Sequence, residues 1–247
     1  MAESSIGALA RALEMGLSLT KDEEVDLALD EGDGSGPAGG ETRWCLVGTV
    51  LIHKRYNLEA MERNLAEIWR PVKGMHMRIL GDNLFAFYFF HPVDLQRVLT
   101  NGPWYFVNHV MVLQATEPGR QVRRDDLFEV AFWIQIYGLP PDRMTVDTGR
   151  KIGAGLGRLL EVDAGDGNMW ATEYIRVRVA IDTRKPLRRL MKLTLKEGPI
   201  RVSFRYERLP NFCYCCGKLD HIERDCELGL EMDAARSTLE KPYPEDL

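Results

Sequence analysis

Between Cys213 and Cys226 the chain sets three cysteines and a histidine at the spacing C-x2-C-x4-H-x4-C, on Cys213, Cys216, His221 and Cys226. In 247 residues with five Cys and five His, chance produces that set on the order of 4 times in 100,000. Three thiolates and one imidazole suit Zn²⁺, which takes four such donors tetrahedrally, at about 2.3 Å from sulfur and about 2.0–2.1 Å from nitrogen. A segment this short has no hydrophobic core, so metal binding supplies its folding free energy, about 10–16 kcal/mol at neutral pH in comparable modules. Four protein ligands leave no position for water, which predicts one structural zinc ion and no catalytic one. Cys215 could replace Cys216 in another register, but only Cys216 gives the four-residue gap to His221; Cys215 reads as a spectator thiol. Loss of one ligand is expected to unfold the knuckle while leaving the rest of the chain's circular dichroism largely unchanged.

The remaining composition excludes several classes. Four of the five cysteines crowd into one segment, which is not the distribution of a disulfide framework. No run approaches the roughly 18 apolar residues of a membrane-spanning helix, and residues 1–20 lack the cationic start of a secretory signal. An intracellular protein, nuclear or cytoplasmic, with no membrane partner is expected. The net charge of −5 hides a division: residues 1–40 carry −7, residues 227–247 carry −4, and the body between them is +6. Acidic ends on a basic body act as solubilising flanks or as competitors for an anionic ligand.

Periodicity sets out the organisation. Ile6, Leu9, Leu13 and Leu17 recur at helical spacing, and Thr20 with Glu23 forms a capping box for a second short helix around residues 25–29. A Gly-rich linker closes this acidic segment of residues 1–40. From residue 41 to 118 the order is β-α-β-β-α-β: a strand over 45–52, a helix capped by Asn57, strands at 75–79 and 84–90, a helix opened by Pro92, and one strand over 104–115. Met75, Met77 and Ile79 are expected to share a buried face. This is the split-βαβ arrangement of ferredoxin-like and RNA-recognition folds. A second, strand-rich lobe over 126–209 follows, with strands at 128–137, 159–162 and 174–182, a glycine-weakened helix at 143–156, and a hairpin of 190–196 with 200–207. The knuckle takes 211–227, and the acidic tail 228–247 is expected to be disordered. The fold class is therefore α+β: a split-βαβ lobe, a smaller α+β lobe and a C-terminal zinc knuckle. No sequence repeat links the lobes, only a similar order of elements.

The knuckle resembles that of retroviral and retrotransposon nucleocapsid proteins, C-[aromatic]-x-C-G-K-x-G-H-[apolar]-x-R-x-C. Cys213, Tyr214, Cys216, Gly217, Lys218, His221, Ile222, Arg224 and Cys226 match it. The resemblance implies that Tyr214 and Ile222 form an apolar platform on which an unpaired base stacks, with Lys218 and Arg224 beside it. The departure is Asp220, where that family usually has glycine. With residues 185–189, the strand 201–210 and the lobe around 44–115, the chain is similar to a plant family that joins a DUF4283 domain to a CX2CX4HX4C knuckle. Its members are Gag-like or first-reading-frame proteins of LINE-type retrotransposons and host genes derived from them, which implies single-stranded RNA or DNA as partner and no catalysis.

A basic stretch leads into the knuckle: Arg184, Lys185, Arg188, Arg189, Lys192, Arg201 and Arg205, with Arg176 and Arg178 on the polar face of a neighbouring strand. Cations there would hold phosphates, the main source of sequence-independent affinity for nucleic acid. The run 83–90 fits part of an RNA-recognition aromatic motif, but Phe85, Phe87 and Phe89 alternate onto one face and read as core. No phosphate loop, H-E-x-x-H, G-x-S-x-G or calcium loop is present, so neither an enzyme nor a small-molecule substrate is expected. The expected function is zinc-dependent binding of single strands. The alternative is a protein-interaction or self-association module, favoured by the −1 charge of residues 211–226.

Overall fold

The computed structural model describes residues 44–52, 56–81, 83–116, 122–163, 172–234, Tyr243 and Leu247; the expected N-terminal helices, the linker and most of the tail lie outside them. The first lobe runs β1 (Trp44–Val50), α1 (Leu58–Trp69), β2 (Met75–Gly81), β3 (Leu84–Phe89), α2 (Pro92–Asn101), β4 (Trp104–Phe106) and β5 (His109–Ala115). Its antiparallel sheet has the order β2-β3-β1-β5-β4. The Asn57 side chain accepts the Ala60 N–H at 3.1 Å, and Arg70, left-handed at φ 44°, closes α1 with an N–H bond to the Ala66 carbonyl. Between those caps Met61, Leu65 and Trp69 face the sheet, where they meet Phe85, Phe87 and Phe89. Burial of each such side chain contributes about 1.5–3 kcal/mol. The fully buried Asp94 ties the two helices: it accepts the Val72 N–H at 2.9 Å and pairs with Arg97, which also donates to the Trp69 and Arg70 carbonyls.

Two details depart from the sequence pattern. The strand expected over 104–115 is a hairpin, β4–β5, because Val107 (φ 49°) and Asn108 (φ 62°) are both left-handed, the signature of a two-residue I′ turn. On β2, an edge strand, Met77 is buried but Ile79 is exposed.

The second lobe comprises β6 (Glu129–Tyr137), α3 (Val146–Leu156), β7 (Arg158–Asp163), β8 (Tyr174–Asp182), β9 (Leu190–Leu195) and β10 (Gly198–Tyr206). Its sheet has the order β7-β8-β6-β10-β9, position for position that of the first sheet. Two lobes without sequence repetition thus share one topology. Phe132, Ile134, Ile136, Ile175, Val177 and Phe204 make its inner face. The glycines that weaken α3 as a helix let it lie close to that face: a Cβ on Gly149 would stand 3.0 Å from Ile175, and one on Gly153 2.6 Å from Leu159.

The lobes differ at one place. Where the first has α2, the second has only the strap 183–189, and the knuckle packs against it. Leu187 donates its N–H to the Gly217 carbonyl at 2.9 Å, and Tyr206 bonds Arg188 through its hydroxyl. Phe212 and Leu219 of the knuckle join the buried cluster of the second lobe. On the outer face of the first sheet, Val47 of β1 and Val110 and Val112 of β5 are buried in the same cluster.

Candidate metal centre and nucleic-acid interface

The knuckle is built from a turn, a short extended stretch and the start of α4 (Glu227–Ala234). Gly217 donates to the Cys213 carbonyl at 2.7 Å and Cys213 to the Lys218 carbonyl at 2.9 Å, so the turn folds back on the first two ligands. This needs φ 76° at Gly217, where a Cβ would also run into the ring of Tyr243. A single helical turn at 223–225 brings Cys226 round, and α4 begins directly after it.

The ligating atoms of Cys213, Cys216, His221 and Cys226 lie within 4.8 Å of one another. A tetrahedral zinc with about 2.3 Å bonds to sulfur requires donors about 3.5–4 Å apart, so the quartet fits the ion with little adjustment. Cys213 and Cys226 are buried and the other two half-buried. Nε2 of His221 stands 3.2 Å from the Cys216 sulfur, while Nδ1 stands 2.7 Å from Oδ1 of Asp220. The residue that departs from the nucleocapsid pattern therefore orients the imidazole. Burial pushes the Cys216 thiol up to about 12, with Cys213 and Cys226 adding to the rise. Burial acts upward on Cys226 as well, but the Gly229 N–H and the His221 ring outweigh it and hold that thiol at about 7. Cys215 is half-buried like Cys216 and stands outside the quartet.

The knuckle is not a detached bead. Phe212 and Leu219 are buried against the second lobe, and Phe212, Tyr214 and Tyr243 form an aromatic cluster, with ring centroids 4.6 Å and 6.3 Å from Phe212. Tyr243 also donates its N–H to the Tyr214 carbonyl, and the Arg189 guanidinium lies 5.0 Å over its ring. Two residues of the tail expected to be disordered, Tyr243 and Leu247, are thus packed in place; Leu247 accepts the Tyr206 N–H at 2.6 Å. Tyr214, Lys218 and Ile222 are half-buried at the knuckle surface and Arg224 is exposed.

The cations divide. Arg176 is committed: it pairs with Glu207 at 2.8 Å and Asp163 at 3.0 Å and stacks over Trp133 at 3.9 Å. Arg178 donates to the Thr100 carbonyl at the end of α2. Arg184 and Lys185 share Asp182, whose carboxyl the Arg184 bonds hold at about 2. Arg188 donates to the Gly155 carbonyl. Lys192 and Arg201 are directly opposed across β9 and β10, exposed, and paired with no described carboxylate. Arg205 is exposed, its guanidinium 5.0 Å over the Tyr137 ring. The structure therefore does not gather the cations into one groove. Arg176 and Arg178 serve the architecture, while Lys192 and Arg201 on the hairpin remain available. The sequence reading missed Phe212 and Tyr243 and named Asp220 only as a departure from the nucleocapsid pattern; their roles depend on packing that spacing alone does not report.

Two family models match segments of this chain. The family model described as "Domain of unknown function (DUF4283)" matches residues 39–122, and that described as "Zinc knuckle" matches 181–228, taking in the strap and the β9–β10 hairpin. An uncharacterized protein of Arabidopsis thaliana is 28% identical over 135 residues, which is 54% of this chain and 42% of that protein. The chain thus spans less than half the length of that relative. RNA recognition domains 1 and 2 of Sex-lethal from Drosophila melanogaster match at 15% identity and a TM-score of 0.25, over 56% of this chain and 85% of theirs. Similarity that low has no bearing on ligand or mechanism. The chain carries a DUF4283 domain followed by a CCHC zinc knuckle.

Proposed function

We propose that this chain binds single-stranded RNA or DNA, with one structural zinc ion shaping the surface that receives unpaired bases. One observation carries the reading: four donors close on one point in the segment that carries Tyr214 and Ile222, and the strap docked on that knuckle continues into the cationic hairpin. Phosphate neutralisation by Lys192, Arg201 and Arg205 supplies affinity for any sequence, and stacking adds about 1–3 kcal/mol per base. The quartet leaves the metal no open position, so its part is structural and no catalytic step is assigned. A Gag-like role in a retrotransposon, or in a host gene derived from one, belongs to the same proposal and rests on the family resemblance.

The test is a titration of a labelled single strand at low ionic strength, with and without a zinc chelator. Binding that falls on chelation and returns with zinc supports the proposal. A zinc-loaded chain that ignores single strands at low salt overturns it.

A further inference from the structure

The outer face of the second sheet, away from α3, is ordered in rows by the strand register. One row crosses four strands: Leu190 on β9, Ser203 on β10, Tyr137 on β6 and Tyr174 on β8. The two tyrosine rings stand 5.1 Å apart at 44°, both half-buried, and Leu190 is 51% exposed. On one side the next row is Lys192 and Arg201; on the other, Arg205 lies against the Tyr137 ring. The row of rings is therefore flanked by cations on both sides. The equivalent face of the first sheet is buried along β1 and β5, at Val47, Val110 and Val112.

Arg205, whose guanidinium lies over the Tyr137 ring, also lines a cleft that reaches the knuckle. This cleft, of about 520 Å³, runs from Gln135 and Arg205 on the sheet, past Asn108 at the β4–β5 turn, to Phe212 and Tyr214. We propose that Tyr137 and Tyr174 form a second base-stacking platform, and that one single strand runs from the knuckle through this cleft onto it, its phosphates held by Arg205, Arg201 and Lys192. Rings supply sequence-tolerant stacking, and flanking cations track the backbone, which is the combination single-strand binders use. A surface made for an apolar protein partner would not need three cations around two tyrosines. The assignment rests on the nucleic-acid reading above and extends it from the knuckle to the sheet.

The experiment uses the full zinc-loaded chain and fluorescein-labelled oligothymidylates of four and fourteen nucleotides. The longer strand is expected to bind more tightly than the shorter. Tyr137→Ala with Tyr174→Ala is expected to weaken the longer strand at least fivefold, with the shorter unchanged, and Tyr137→Phe with Tyr174→Phe to retain wild-type affinity. A fourteen-nucleotide strand carrying 5-iodouracil is expected to photo-cross-link Tyr137 or Tyr174 in the unmutated chain, a readout that does not depend on the variants folding. Unchanged affinity in a folded alanine pair, or cross-links confined to the knuckle, overturns the platform while leaving the knuckle reading intact. Failure of the unmutated chain to bind either strand overturns the nucleic-acid reading itself.

Discussion

Nδ1 of His221 lies 2.7 Å from Oδ1 of Asp220, its neighbour in sequence, and this turns Nε2 toward the sulfur of Cys216. A histidine ligand needs one nitrogen bare and the other bonded, and a carboxylate on the second nitrogen fixes both tautomer and ring plane. Asp220→Ala frees the ring and is expected to lower zinc affinity about 10–100-fold, with the knuckle still folding at saturating zinc. Competition against a chelator of known affinity measures this. Unchanged affinity would show that the carboxylate does not position the ligand.

Cys216→Ser removes one of the four ligands, and Cys215 stands outside the quartet. Spacing alone makes the knuckle a separate module whose loss the body does not feel, but the docking of Phe212 and Leu219 couples the two. Exposure of those side chains costs the second lobe a few kcal/mol, which for a chain of this size lowers the melting temperature by about 5–10 °C. Far-UV circular dichroism is expected to keep its strand signature, because neither sheet includes a ligand. An unchanged melting temperature in a zinc-free variant would mean the knuckle is energetically independent.

The parts legible in the sequence are those whose physics is local. The metal quartet depends on residue type and spacing, and the Asn57 cap lies three residues from the N–H it accepts. The β4–β5 turn was hidden because Val107 is a poor residue for φ 49° and carries none of the Asn-Gly chemistry that signals such a turn. The cationic body was only half legible. A count of arginines cannot show that β-register sets Arg176 beside Asp163 and Glu207, nor that it sets Tyr137 opposite Tyr174. Such pairings across strands belong to the topology, and the docking of Leu187 on Gly217 is equally non-local.

The Arg176–Glu207 pair carries a pH signature. The Arg176 bonds hold the Glu207 carboxyl below the usual carboxylate range, and that carboxylate holds Arg176 protonated in turn. A carboxyl depressed in the folded state stabilises the fold above its unfolded value of about 4.3 and loses that contribution as pH falls through the folded value. Glu207→Gln is therefore expected to be less stable than the unmutated chain at pH 7, by about 1–2 kcal/mol after allowance for partial exposure. The deficit should shrink steadily below about pH 4. Urea midpoints of both proteins at neutral and acid pH read this as a difference, so acid release of zinc affects both alike. A deficit that is constant with pH would assign the loss to packing instead of charge.

The same division of cations predicts how binding responds to salt. Each phosphate neutralised on a single strand contributes about 0.7 to the slope of log affinity against log salt. Lys192 and Arg201 have no described carboxylate partner, so a phosphate gains the full interaction at both. Arg184 already satisfies Asp182 through two bonds, at 2.8 Å and 2.9 Å, and would exchange one anion for another. Lys192→Ala with Arg201→Ala is expected to flatten the slope by about 1.4 and weaken all sequences alike. Arg184→Ala is expected to leave the slope nearly unchanged. Anisotropy titrations of one oligothymidylate across a salt series compare the two. Equal flattening by both variants would mean that ion pairing within the sheet does not decide which cations meet the strand.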